Sequence, residues 1–336
     1  MKEYLLGIDI GGTKCAVTYG HYSEAGITLV DEDRFPTAGV DETVSAICSA
    51  VEGMMAKHGL TQAQVGAIGI SCGGPLDTNK GLIMSPPNLP GWDGIPIVSI
   101  VEQRIGVRAG LQNDANACAL AEWKCGAGRG TRNMVFMTFG TGLGAGLILD
   151  SHLYAGTNDN AGEVGHIRLS SFGPVGYGKG GSFEGFCSGA GITQVARMLV
   201  TEKIQMGIAV PWCGADELEV LTAQKVAEEA VKGDTLALKV FDISARKLGE
   251  GLSIIIDILN PELIVIGGVY TRCKELMEPR MLETIGQEAL SNSSKVCSVV
   301  GSQLGEQIGS YSALSVAADL LTKNETVMIF KNRTVK

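Results

Sequence analysis

The sequence predicts a compact α/β protein of two halves. An apolar strand runs straight into a glycine turn at the N-terminus, Leu5-Leu6-Gly7-Ile8-Asp9-Ile10-Gly11-Gly12-Thr13-Lys14. The same design returns near mid-chain as Val135-Phe136-Met137-Thr138-Phe139-Gly140-Thr141-Gly142-Leu143-Gly144-Ala145-Gly146. The length of 336 residues allows two domains at roughly 150 residues each. A hydrophobic content of 45% with 46 glycines fits many strand-to-helix turns. Glycines let a backbone approach a ligand closely and aim its N–H groups at oxygen. Two such turns, one per half, imply a grip on one polyphosphate and hence on a nucleotide.

The elements follow in order. Residues 4–10 read as a buried strand, 14–19 as its hairpin partner and 27–35 as a third strand. Val44, Ile47, Val51, Met54 and Met55 recur every three or four residues, which predicts a helix over 41–58. Val65 to Ser71 is a buried strand ending in Cys72-Gly73-Gly74-Pro75. The run Pro86-Pro87-Asn88-Leu89-Pro90-Gly91-Trp92 is a stiff loop. A helix starts at Asn113 and runs to about Cys125, with Asn113 or Asp114 near its cap. From Met134 the opening topology repeats, and the glycine-rich stretch 155–190 reads as a functional loop region. Helices are expected at about 189–206, 222–232 and 234–259, then a buried strand Leu263-Ile264-Val265-Ile266 ending at Gly267-Gly268, then a closing helix over 311–322. The domain division is placed near residue 115: a small α/β domain over 1–115, a large one over 116–304, and a C-terminal helix, about 305–336, returning to the first. Core packing is the default for Trp92, Trp123 and Trp212.

Charge and composition narrow the function. A net charge of -9 argues against nucleic acid as a partner, because phosphate backbones attract basic faces. No signal-type segment opens the chain, and Asp257, Asn260, Pro261 and Glu262 interrupt its most apolar late stretch, so a cytoplasmic protein without a membrane partner is expected. Nine cysteines occur without any Cys-x-x-Cys, which predicts reduced, buried thiols.

Several side chains carry chemistry. Asp9, at a strand end, suits hydrated Mg2+ held by a carboxylate and phosphate. Gly11 and Gly12 permit close approach, Thr13 adds a hydroxyl and Lys14 a neutralising charge; the same turn taken alone is also an ordinary hairpin. No Walker-type loop is present. Gly140, Thr141 and Gly142 form the second phosphate turn. Asn113-Asp114 lies where a strand meets a helix. An ionised aspartate there can accept the proton of an attacking hydroxyl, and it can equally cap the helix; spacing leaves both roles open. Glu163, His166 and Glu184 flank the glycine-rich loop and offer the carboxylate and imidazole groups that recognise vicinal hydroxyls.

Together these strings resemble the ROK family (repressor, open reading frame, kinase). The likeness rests on Asp9 to Lys14, on Asn113-Asp114-Ala115-Asn116-Ala117-x-Ala119-x-Ala121-Glu122, on Gly126-Ala127-Gly128-Arg129-Gly130, on Gly140-Thr141-Gly142 and, most specifically, on Asn160-Ala161-Gly162-Glu163-x-Gly165-His166. The resemblance implies an actin-like, ribonuclease-H-like duplicated α/β fold with a cleft between two domains. It implies ATP-dependent, Mg2+-assisted phosphorylation of a hexose 6-hydroxyl, with Asp114 as base. Gly74, Asn88, Asn113, Glu163, His166 and Glu184 would line the sugar, and Gly267 and Gly268 the adenosine. Glucose is the favoured substrate; N-acetylmannosamine or N-acetylglucosamine comes next, with allose, mannose and fructose as further alternatives. A homodimer is implied as well.

One departure stands out. Where the family commonly carries Cys-x-Cys-Gly-x-x-Gly-Cys-x-Glu, this chain reads Val175-Gly176-Tyr177-Gly178-Lys179-Gly180-Gly181-Ser182-Phe183-Glu184. Val175, Tyr177 and Ser182 replace the three thiolates, so no structural zinc is expected. Glu184 is then expected to be placed by packing on Tyr177 and Phe183. Two other functions compete. A sugar-sensing transcriptional regulator would need a DNA-binding segment ahead of a first strand that already begins by Tyr4. A non-catalytic nucleotide-binding module would have no use for the Asn113, Asp114, Glu163, His166 and Glu184 set.

Overall fold

The computed structural model of the chain describes residues 4–23 and 26–333. It opens with strands β1 (Tyr4–Ile10), β2 (Lys14–Ser23) and β3 (Gly26–Pro36), then helix α1 (Val40–Lys57) and strand β4 (Val65–Cys72). Three short strands follow, β5 (Leu76–Asp77), β6 (Leu82–Met84) and β7 (Asp93–Ile95), and then α2 (Ile97–Ile105), β8 (Ala109–Asn113) and α3 (Asp114–Cys125). The next stretch holds β9 (Met134–Phe139), β10 (Leu143–Leu149), β11 (His152–Tyr154), a 3-10 turn at Val164–His166, β12 (Val175–Gly176), β13 (Lys179–Gly180) and α4 (Phe183–Phe186). After these come α5 (Gly189–Gln205), α6 (Ala223–Val231), α7 (Thr235–Leu259), β14 (Leu263–Ile266), α8 (Val269–Glu288), α9 (Ser291–Ser294), β15 (Ser298–Gly301) and α10 (Ile308–Arg333).

Two five-stranded sheets share one plan. The first runs β3-β2-β1-β4-β8 and the second β11-β10-β9-β14-β15. In the first, β1 lies antiparallel to β2 and parallel to β4, which is parallel to β8. In the second, β14 lies parallel to both β9 and β15. The repeat expected after Met134 is therefore present. The described residues group into two compact units. One lies within Met1–Gly130, Gly146–Ala161 and Gln303–Lys336, the other within Thr131–Ala145 and Gly162–Ser302.

Local chemistry explains the elements. Helix α1 buries Ile47, Cys48, Val51 and Met54 along one stripe. That stripe packs on Leu6, Ile8, Ile10, Val17, Ile68 and Ile70 of the first sheet, in a core that also takes Trp92. Helix α7 stops where Asn260 turns left-handed (φ 47°) ahead of Pro261, which cannot continue a helix. Helix α8 escapes sequence periodicity because Pro279 interrupts it and Cys273 leaves helical geometry. All nine cysteines are free; Cys118, Cys125 and Cys297 are only half-buried, the other six buried. No helix among the described residues is long and apolar enough to cross a membrane.

Candidate active site

In the first unit, Asp9 sits one residue before the end of β1. Register places it beside Ala16 on one side and Ser71 on the other. Burial pushes its carboxyl up to about 6; the Ser71 hydroxyl opposes this through a hydrogen bond, Asp114 reinforces it and the nearby Lys14 lowers it. The turn that follows is closed by the Gly11 N–H on the Lys14 carbonyl (3.1 Å). Thr37 pins it from outside: its hydroxyl donates to the Gly11 carbonyl (2.6 Å) and its N–H to the Thr13 carbonyl (3.1 Å). Thr13 and Lys14 are exposed.

Asn88 links this turn to the residues expected to line the sugar. A Cβ on Gly12 would collide with the Asn88 carbonyl oxygen, and one on Gly73 would lie 3.4 Å from Asn88 Oδ1. A Cβ on Gly74 would come within 3.1 Å of Asn113 Nδ2. Gly12, Asn88, Gly73, Gly74 and Asn113 thus form one contiguous surface, in which Gly12 has no room for a side chain. Asn113 ends β8 and caps α3: its Oδ1 accepts the Ala115 N–H at 2.9 Å. Asp114 Oδ1 accepts the same N–H at 2.7 Å. Desolvation pushes the Asp114 carboxyl upward, although the side chain keeps accessible surface, as a group must to meet a substrate. Of the two roles left open by the sequence, the helix-end contact is present: Asn113 and Asp114 both meet the Ala115 N–H.

In the second unit, the Gly140 N–H donates to the Gly142 carbonyl (3.0 Å), and the Gly140 carbonyl accepts the N–H of Gly189, the first residue of α5 (2.8 Å). Thr141 at the tip is exposed. Gly268, with φ 68°, lies so close that a Cβ would strike the Phe139 carbonyl, and the Gly267 N–H donates to Met137 (2.9 Å). The glycine pair expected near the adenosine therefore abuts the Gly140–Gly142 turn. Glu184, in α4, joins that turn to the sugar motif. Its Oε2 accepts the Leu143 N–H (3.0 Å) and would lie 2.7 Å from a Cβ on Gly142. Its own Cβ would lie 3.2 Å from one on Gly165. Glu163 and His166 flank Gly165 and are exposed.

The substituted loop has its own construction. Tyr177 (φ 45°) and Gly178 (φ 75°) make the two-residue turn between β12 and β13. Ser182 caps α4, accepting the Gly185 N–H (3.1 Å) and donating to the Gly176 carbonyl (3.4 Å). The Lys179 ammonium donates to the His166 carbonyl (2.6 Å), and the Tyr177 ring meets His166 edge-on at 5.5 Å. Glu184 is therefore held by the Leu143 N–H and by close glycines, with Phe183 buried beside it. Tyr177, 73% exposed, packs on His166 instead.

Ser71, Thr37 and the Leu143 N–H were not singled out from the sequence. Each acts through strand register or a contact distant in sequence, which motif spacing does not reveal. Among the described residues no group of three His, Cys, Asp or Glu side chains could hold a metal ion. The donor set instead centres on Asp9, a partly desolvated carboxylate facing the charges of Asp114 and Glu32. That fits Mg2+ carried on phosphate, which needs one or two carboxylates rather than a protein cage.

Comparison with known proteins places the chain in a family and a fold. The ROK family profile matches residues 5–319. The glucokinase of Halalkalibacterium halodurans is 33% identical over 283 residues, 82% of this chain and 84% of that protein. The crystal structure of a ROK hexokinase from Thermus thermophilus superposes with a TM-score of 0.79 at 26% identity, covering 96% of this chain and 99% of that one. A ROK family glucokinase from Streptomyces griseus, solved with glucose and AMPPNP, gives 0.71 at 30% identity, covering 95% and 99%. The α/β architecture is thus the actin-like fold of these kinases.

Proposed function

The chain belongs to the ROK family and is a sugar kinase, and from that premise we propose that it transfers the γ-phosphoryl group of ATP to the 6-hydroxyl of glucose, with Asp114 as the general base. The observation that supports this most is the contiguity of Gly12, Asn88, Gly74 and Asn113 at the end of α3 that carries Asp114. A base works best when its pKa lies near the operating pH, and burial moves Asp114 in that direction. Asp114 takes the hydroxyl proton as the O–P bond forms. Asn88, Asn113, Glu163, His166 and Glu184 hold the sugar hydroxyls, and the turns at Gly11–Lys14 and Gly140–Gly142 present N–H groups to the phosphates. Mg2+, carried by ATP and held at Asp9, would neutralise charge developing on the transferred group. The same proposal includes the small and large domains divided near residue 115, a homodimer, a cytoplasmic location, and no nucleic-acid or membrane partner.

Glucose and the N-acetylhexosamines differ by one group, and pocket differences of about 1–3 kcal/mol separate such substrates. The test is ADP release from Mg·ATP against a panel of hexoses and N-acetylhexosamines, with a sugar-free blank. Release that rises most with glucose is the expected result. Preference for N-acetylmannosamine or N-acetylglucosamine would replace the substrate and leave the mechanism standing. A flat panel at the blank rate would overturn the proposal.

A further inference from the structure

Glu122 is fully buried near the C-terminal end of α3. A buried carboxylate is tolerated only where donors meet it, and here they come from two distant parts of the chain. Oε2 accepts the Ala127 N–H at 2.8 Å, and Oε1 accepts the Leu304 N–H at 3.0 Å. The backbone carbonyl of Glu122 takes the N–H groups of Gly126 and Gly128, each at 3.0 Å. Gly126 has to be glycine for this carboxylate: a Cβ there would overlap Glu122 Oε2. Gly126 and Ala127 are thereby accounted for as the receptacle of one side chain, with the Gly128 N–H on its backbone carbonyl.

The places that Glu122 ties together are not arbitrary. The chain first leaves the first unit after Gly130, returns to it over Gly146–Ala161, and re-enters it for the last time at Gln303. Ala127 lies just before the first exit and Leu304 just after the last return. From Leu304 a short 3-10 turn leads into α10, which packs along α3, β1 and β4. In its first turn Gly309 faces Asp9: a Cβ there would be 3.7 Å from Asp9 Oδ2. At the other end of α3, about 12 Å away at 1.5 Å per residue, stands Asp114.

We infer that Glu122 is a positioning residue whose carboxylate clamps the chain's first exit from the first unit to its last re-entry, and so holds α3 with Asp114 in register with the start of α10 over Asp9. The catalytic consequence rests on the kinase mechanism proposed above; the clamp itself does not. Two acceptor oxygens are required, one for each N–H. In Glu122→Gln an amide NH2 would face one of these donors, so one bond becomes a donor–donor clash.

The test uses the full chain and two variants. Leu304→Pro removes the other partner's N–H, and the Leu304 φ of -75° already suits proline. It carries the test should Glu122→Gln not fold. Amide hydrogen exchange decides the clamp without any turnover. The Ala127 and Leu304 amides are expected to be protected in the wild type. At least one of the two loses at least tenfold of its protection in Glu122→Gln. Ala127 loses its own in Leu304→Pro. Unprotected amides in the wild type, or protection unchanged in the variants, would overturn the clamp. Steady-state kinetics, with kcat counted per glucose-binding site from a titration, decides the consequence. The expected result is kcat down at least tenfold and KM for Mg·ATP up severalfold, with glucose Kd within twofold of wild type. Wild-type kcat per site in a variant that has lost protection would overturn the positioning role, as would glucose Kd rising in step with the loss of kcat. A wild type with no sugar-dependent turnover would count against the kinase mechanism, and exchange would still decide the clamp.

Discussion

Glu184 Oε2 accepts the Leu143 N–H at 3.0 Å, so a side chain expected to hold sugar also supports the Gly140–Gly142 turn. Gly142 and Gly165 pack against the same glutamate. The Gly140–Gly142 turn and the Glu163–His166 segment therefore share one carboxylate.

Two substitutions separate its two roles. Glu184→Gln keeps a carbonyl oxygen for the Leu143 N–H but loses the charge that strengthens bonds to hydroxyls, a loss of about tenfold or more. It is expected to raise the sugar KM and leave the KM for Mg·ATP near wild type. Glu184→Ala also frees the Leu143 N–H and should raise both. If the alanine variant changes only the sugar KM, the carboxylate does not support the turn.

Asp114→Asn should lower kcat by about 10²–10⁴ while sugar binding, measured by calorimetry, stays within a fewfold. Stability should hardly move, because Asn113 Oδ1 accepts the same Ala115 N–H that Asp114 accepts. Wild-type turnover in this variant would remove Asp114 from the mechanism; a large fall in Tm would show that the cap depends on it.

Asp9 gives the ligand-free protein a pH signature. Burial, with Asp114 adding repulsion, raises its carboxyl from 3.8 to about 6 against the Ser71 bond. Between those values the native state binds more protons than the unfolded chain. Its contribution therefore falls as pH rises through that window and is fully unfavourable above 6. Asp9→Asn removes the buried charge, which amounts to about 2–3 kcal/mol at most. Its Tm is expected above wild type at pH 7.5, with the gap closing by pH 4. A gap that is constant with pH would contradict the shift.

Gly162→Ala tests the backbone under Glu163. Gly162 has φ 93°, its Cβ would strike the Ala145 carbonyl oxygen, and its own carbonyl accepts the Ala145 N–H (2.8 Å). Strain and collision together should cost about 2–3 kcal/mol, read as a lower midpoint in denaturant, with a raised sugar KM as Glu163 is displaced. Unchanged stability would mean the loop moves away from β10 at no cost.

Much of this protein is local and was legible before folding. The first sheet's opening strands, helix α1, the Asn113 cap of α3 and the stop of α7 at Asn260-Pro261 follow from neighbouring residues: alternating or three-to-four spacing, a capping side chain, a proline. The motif strings then identified the family, because they combine order with spacing. Helix α2 also carried a signal, since Ile97, Val101 and Ile105 recur every four residues and are buried. Helix α8 carried little, because Pro279 and the break at Cys273 blur its apolar face.

Tertiary structure decided everything that depends on which distant atoms meet. Ser71 reaches Asp9 only because β4 pairs parallel to β1 in that register. Thr37 pins the first turn across 26 residues. Ser182 stands where the family commonly carries a thiolate and acts as a helix cap. Tyr177 rests on His166 rather than on Glu184. Glu122 receives Leu304 from 182 residues away. Propensity, capping and turn chemistry act between neighbours, so the sequence alone determined the elements and the residue types of the site. Register, burial and shared hydrogen-bond donors exist only once the chain has closed on itself, and these set the carboxyl of Asp9 and the hold of Glu184 on the Leu143 N–H.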